Sequence, residues 1–254
     1  FIALIFLVYS VVQLSLQVRA FADIVKNFLL FNTPLEVLMI VYLLVVMYVA
    51  RSGIESIARM SSIILFFSLA PMLVAMVFEI PNLDMTTFLP LFRSDLTHVK
   101  EGIFQSFLTT RGFEFLLVFG YFIKDTNKLQ KNVMRSGLLI SGIYIFVTII
   151  TIARYGYIQT QTLLWPLLTL FKSFDFPGGL IGNVDVIIMT TWVTSVFMST
   201  AILMFSSSYL LSLLTKSKEH NFLVVPFLPI IVIIALIPRN IVEVYDIGGK
   251  ISSI

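Results

Sequence analysis

The string Thr109-Thr110-Arg111-Gly112-Phe113-Glu114 sets two opposite charges and a glycine inside the apolar stretch 103–123. A charge at the centre of a membrane helix costs about 2.5–3.5 kcal/mol on insertion scales, so Arg111 and Glu114 are expected to face protein, a cavity or a bound ligand. Glycine adopts backbone angles that other residues avoid. In lipid a helix is interrupted only where water, protein or ligand takes over the freed amides and carbonyls. Half-helix ends at membrane depth present amides to an anionic group and carbonyls to a cation, which suits a zwitterionic amino acid, and Thr109 and Thr110 add hydroxyls beside the break. The competing reading makes Gly112 a packing glycine, with Arg111 and Glu114 an internal i,i+3 ion pair. Two intramembrane charges beside a break favour the ligand site, formed by Thr109, Thr110, Arg111, Gly112, Phe113 and Glu114.

Polar stripes on other apolar segments are candidates to complete such a site. Tyr9, Gln13 and Gln17 recur every four residues, and Thr191, Thr194, Ser195 and Met198 share one helical face. Hydroxyls and amides on membrane helices more often bond a neighbouring helix at about 0.6–2 kcal/mol each, and that reading is favoured for any one of them. Tyr9, Gln13 and Thr194 are the ligand candidates. Catalysis has little to build on: no histidine lies in an apolar segment, and no Gly-x-Ser-x-Gly, His-Glu-x-x-His or phosphate-loop pattern occurs. Glu79, Asp84 and Asp95 surround a loop rather than pairing on a helix face. With no cysteine and only His98 and His220, both expected as solvated loop histidines, neither a metal site nor a cofactor is called for.

These residues must be positioned by membrane helices. The chain is 58% hydrophobic and 12% charged, with a mean hydropathy of +0.99, against roughly 25% charged in a soluble domain. Apolar stretches at 1–18, 34–50, 60–78, 103–123, 136–153, 184–214 and 222–237 approach the ~20 residues that span a bilayer, so we expect one integral membrane domain of seven spans, the fourth broken at Gly112. The apolar start at Phe1 and the stop at Ile254 suggest a piece of a longer polytopic protein. Basic residues are dense in the short connections 51–59, 124–135 and 215–221, which are assigned to the cytoplasmic side. Residues 20–30 are expected as an interfacial helix, Thr33 as an N-cap with Pro34 the first helical residue, and Thr162 to Phe171 as a short dipping or surface helix. The net charge of +3 is small and dispersed, which disfavours nucleic-acid binding.

The run Gln105 to Glu114, in which a small-polar stretch leads into Gly-Phe-Glu, resembles the broken sixth helix of the amino acid–polyamine–organocation superfamily. Arg19-Ala20-Phe21, Phe28-Leu29-Leu30-x-x-Thr33-Pro34, Gly53-Ile54-Glu55-x-x-Ala58-Arg59, Trp165-Pro166-Leu167-Leu168 and Trp192-x-x-x-x-Phe197 narrow the resemblance to the membrane B subunit of spore germinant receptors, the spore germination permease family. That resemblance implies an all-α, leucine-transporter-like bundle of five-plus-five inverted repeats, of which this chain looks like helices three to nine. The broken first helix, which supplies half of the superfamily's site, is outside the sequence. The resemblance further implies a germinant-sensing role in the spore inner membrane, a nutrient ligand such as an amino acid, and partnership with receptor A and C subunits within the lipid bilayer. A secondary amino acid transporter working by alternating access is the alternative.

Overall fold

The computed structural model describes residues 2–89, 96–109, 112–123, 126–172, 184–217 and 219–252. Among them all regular structure is helical and no strand occurs. The α-helices are α1 (Ile2–Phe28), α2 (Leu35–Arg51), α3 (Gly53–Glu79), α4 (Leu96–Thr109), α5 (Leu116–Phe119), α6 (Thr126–Thr162), α7 (Pro166–Lys172), α8 (Val184–Thr215), α9 (Phe227–Ala235) and α10 (Ile241–Ser252). Four described stretches are long and apolar enough to cross a membrane: Ala3–Phe28, Gly53–Asn82, Leu129–Thr162 and Met189–Thr215. Helix α2, at 17 residues, lies at the lower end of spanning length. The stretch 222–237 resolves into turns as far as Pro226 and then the nine residues of α9, which rise only about 14 Å.

Several expected boundaries move, each for a local reason. The chain does not leave the first span at Arg19 to form a separate interfacial helix: α1 continues to Phe28, with Phe21, Ala22, Ile24 and Val25 buried. Arg19 is accommodated because Asp23, one turn on, pairs with it at 2.9 Å. Pro34 is the N-cap rather than the first helical residue, at φ −58° and ψ 142°, and no side chain caps the helix. The connection expected over 51–59 shrinks to Ser52, since α3 begins at Gly53. Arg51 ends α2, and Arg59 pairs with Glu55 at 2.6 Å on the exposed side of α3. Helix α6 begins ten residues before the expected start at 136 and runs nine residues beyond the expected end at 153.

Two expected loop histidines also change character. His98 lies in the first turn of α4, exposed. His220, between α8 and α9, packs edge-on against Phe205 with ring centroids 5.0 Å apart, and its Nε2 is buried without a partner among the described residues. Burial lowers its pKa below the ordinary histidine value, opposed by the charge of Glu219.

The chain forms two compact units, one from residues up to Phe66 together with Val193 onward, the other from Phe67 to Trp192. In the first, α1 packs on α2, α9 and α10, around Leu14, Val18, Met39, Leu43, Ile231 and Ala235. In the second, α6 packs against α7 and against the 3-10 turn Met85–Phe88. Ala75, Met76, Ile150, Ala153, Leu170 and Phe171 are buried there.

Candidate functional site

The interruption in the second unit is built from backbone. Helix α4 ends at Thr109, and Gly112 has φ +112°. An L side chain rarely occupies that region, so the residue at this position has to be glycine for the chain to turn here. The Gly112 N–H donates to Glu114 Oε2 at 2.8 Å, and the Phe115 N–H donates to the Gly112 carbonyl at 3.2 Å. A 3-10 turn, Phe113–Phe115, then leads into α5, anchored by buried Phe115 and Val118. A Cβ built on Gly112 meets no described atom within 4 Å. Its conformation, rather than close packing, is therefore what demands glycine among the described residues.

Of the residues singled out around this break, Thr110 and Arg111 lie outside the described residues, as do the side chains of Thr109 and Phe113. The i,i+3 pairing of Arg111 with Glu114 falls there too. Beside α5, an apolar recess of about 340 Å³ is lined by Leu116, Ile123, Leu129, Gln130, Val133 and Met134. Gly112 is not part of its lining, and one polar side chain does not recognise a zwitterion.

Tyr9, Gln13 and Thr194 belong to the first unit. Here α1 and α8 are joined by a polar seam. Ser10 Oγ and Ser207 Oγ lie 3.0 Å apart, and Gln17 Nε2 donates to Thr200 Oγ1 at 3.1 Å. The Tyr42 hydroxyl reaches the same Thr200 oxygen at 2.6 Å, with its ring stacked on Phe21 at 3.7 Å between centroids. Ser10 and Gln17 are seven residues apart, as are Thr200 and Ser207, so two antiparallel helices meet twice at an interval of two turns. Gln13 lies between these contacts, and its Oε1 is buried with no partner among the described residues. Tyr9 stacks against Phe6, and Thr194 is half-buried six residues before Thr200. Of the α1 stripe, Gln17 is the residue that the structure pairs with α8. Thr200, Ser207 and Tyr42 were missed, although the paired seven-residue spacing of Ser10/Gln17 and Thr200/Ser207 was available as a signal.

A second missed feature fixes the other end of α1. Arg19, 7% exposed, pairs with Asp23 and also donates from Nη1 to the Ala235 carbonyl at 3.3 Å and from Nη2 to the Arg239 carbonyl at 3.5 Å. The last carbonyls of a helix lack intrahelical partners and carry the negative end of its dipole. The buried guanidinium meets both conditions at Ala235, the last residue of α9, and its other amino group reaches a carbonyl of the connection before α10.

Long apolar helices, charges held in internal pairs and a helix interrupted at a positive-φ glycine define an all-α polytopic membrane protein. The chain belongs to the spore germination protein family, whose description matches residues 1–244. It is 25% identical to spore germination protein YndE of Bacillus subtilis (strain 168), over 100% of this chain and 69% of YndE. It is 26% identical to spore germination protein B2 of the same organism, over 74% of this chain and 51% of that protein. With spore germination protein GerLB of Bacillus cereus the identity is 24%, over 88% and 60%. The chain therefore spans between about half and two thirds of these relatives' lengths. No solved structure matches it.

Proposed function

We propose that the chain is the membrane-embedded sensing subunit of a spore nutrient receptor, and that a small nutrient such as an amino acid binds at the interrupted helix around Gly112. The observation that carries this reading is the helix end at Thr109 followed by Gly112 at φ +112°, in a member of the spore germination protein family. Thr109 and Thr110 supply hydroxyls to the ligand, Arg111 and Glu114 supply opposite charges, and Gly112 and Phe113 shape the turn. Tyr9, Gln13 and Thr194 remain further ligand candidates, of which Gln13 has a buried acceptor with no partner among the described residues. A nutrient that favours one arrangement of the break shifts the protein toward its signalling state. The subunit works in the spore inner membrane with receptor A and C subunits, a reading supported by relatives that are themselves spore germination proteins.

Thr109→Val and Thr110→Val test the site, because each keeps side-chain shape and removes a hydroxyl. A hydrogen bond to a charged group contributes about 1.5–3 kcal/mol, so the nutrient concentration for half-maximal germination rises roughly ten- to a hundredfold at unchanged protein abundance. Germination at the original concentration overturns the site. Amino acid uptake by vesicles holding the full-length protein alone, with no A or C subunit recovered from spore membranes, selects the alternating-access transporter instead.

A further inference from the structure

Helix α6 carries another positive-φ glycine, and the residues around it form a mechanical unit. Gly156 has φ +75° and ψ 162° inside an otherwise helical run. A helical ψ is near −42°, so the amide of Tyr157 is turned away from the Ala153 carbonyl four residues back. That carbonyl is taken by the connection after α3: the Asp84 N–H donates to Ala153 O at 3.1 Å. Thr87 Oγ1 lies 3.3 Å from the Ile152 carbonyl and 2.7 Å from that of Asp84, sharing its one proton between them. Its methyl group is 3.9 Å from where a Cβ on Gly156 would stand. The connection is itself braced, since Asp84 Oδ1 accepts from the Thr86 N–H at 2.9 Å and its hydroxyl at 2.6 Å.

Its near end is tied by charge. Glu79, at the last position of α3 and 3% exposed, lies 2.9 Å from Arg154 Nε, two residues before the break, and accepts from Asn82 Nδ2 at 3.3 Å. Beyond the break α6 runs only from Tyr157 to Thr162, less than two turns. Three residues then lead to α7, whose Leu168, Leu170 and Phe171 are buried.

We propose that residues 79–88 are a clasp on a hinge at Gly156, and that when it opens, residues 157–172 move as one piece. An apolar helix of this length has no intrinsic reason to break at residue 156; kinks have identifiable local causes, and here a glycine and an external donor for the freed carbonyl coincide. The proposal concerns the hinge alone and does not depend on a ligand at Gly112.

Hydrogen-exchange mass spectrometry on the full-length protein in lipid nanodiscs tests it. Thr87→Val removes the shared hydroxyl and is expected to raise exchange about three- to tenfold in both 80–88 and 157–172, leaving 2–28 unchanged, while Thr87→Ser exchanges as the parent does. Glu79→Gln, which keeps shape and removes the charge, raises the same two segments. Faster exchange confined to 80–88, or Thr87→Ser behaving as Thr87→Val, overturns the clasp. If Thr87→Val loosens every helix, Glu79→Gln decides: 157–172 at the parent rate overturns the proposal, and a selective rise there supports it.

Discussion

Helices α1 and α8 bury 50% and 61% of their most apolar stretch, whereas α3 and α6 bury 17% each. All four meet the same length and hydropathy requirement, so hydrophobicity alone does not say which helix is interior. Side chains on the contacts do: α1 and α8 meet through Ser10, Gln17, Thr200 and Ser207. Along α3 and α6, by contrast, Leu65, Phe66, Phe67, Leu138 and Ile145 are exposed. In a bilayer, apolar surface gains little by leaving lipid for protein, so small and polar residues mark helix contacts and large apolar ones mark lipid. The polar residues that α6 does use, around Ile152 to Gly156, lie at its end, where backbone groups need partners.

That contrast is most easily broken at Arg19. Arg19→Ala leaves Asp23 and the Ala235 and Arg239 carbonyls without their cation, and removing one partner of a buried pair costs about 3–5 kcal/mol. The expected outcome is loss of most protein from the membrane fraction, with Arg19→Lys intermediate because an ammonium lacks the planar fork. Normal abundance and thermal stability of Arg19→Ala would show that the interior pairs do not hold α1. A finer probe is Tyr42→Phe, which keeps the ring on Phe21 and removes only the hydroxyl on Thr200. Thermal unfolding in detergent should show a loss of about 0.5–1.5 kcal/mol, and a double mutant with Thr200→Val should lose less than the sum of the two single changes.

Smaller effects sharpen the comparison at the margins. Because burial depresses the pKa of His220, the neutral form is favoured when folded. Its contribution to stability is complete above the unfolded histidine value near 6.5 and is lost as pH falls through the lower folded value. The protection of amides 219–226, with exchange corrected for its intrinsic pH dependence, should therefore fall on acidification, and His220→Gln should flatten that response. At the lipid-facing extreme, Ile145→Leu or Leu138→Ile should change stability by less than about 0.5 kcal/mol. A larger loss at either position would mean that α6 is covered by protein rather than lipid.

Much of the helical framework was legible because spanning lipid demands long apolar runs, and those runs are visible in the residues themselves. Helix ends were less so. The apolar run stops at Arg19, yet α1 does not, because the Asp23 carboxylate one turn away and the Ala235 carbonyl at the end of α9 compensate the charge. Glu79, one of the carboxylates expected around a loop, is the last residue of α3 and pairs with Arg154. Gly112 and Gly156 both have positive φ, but Gly156 lacks the charges on both sides that mark Gly112 in the sequence.

The sequence by itself determined that this is a helical membrane protein of the spore germination family, because hydropathy, the Gly-Phe-Glu run and the ordered short motifs are local properties of the chain. It also marked Gly112, where local charge and glycine coincide. Only the tertiary structure decided which polar residues serve helix contacts. Whether Gln17 finds an acceptor or Gln13 a donor depends on the register of α1 against α8, and whether Arg19 can be buried depends on where α9 ends. Hydrogen bonds act over about 3 Å, and residues 183 positions apart reach that distance only once the helices have packed.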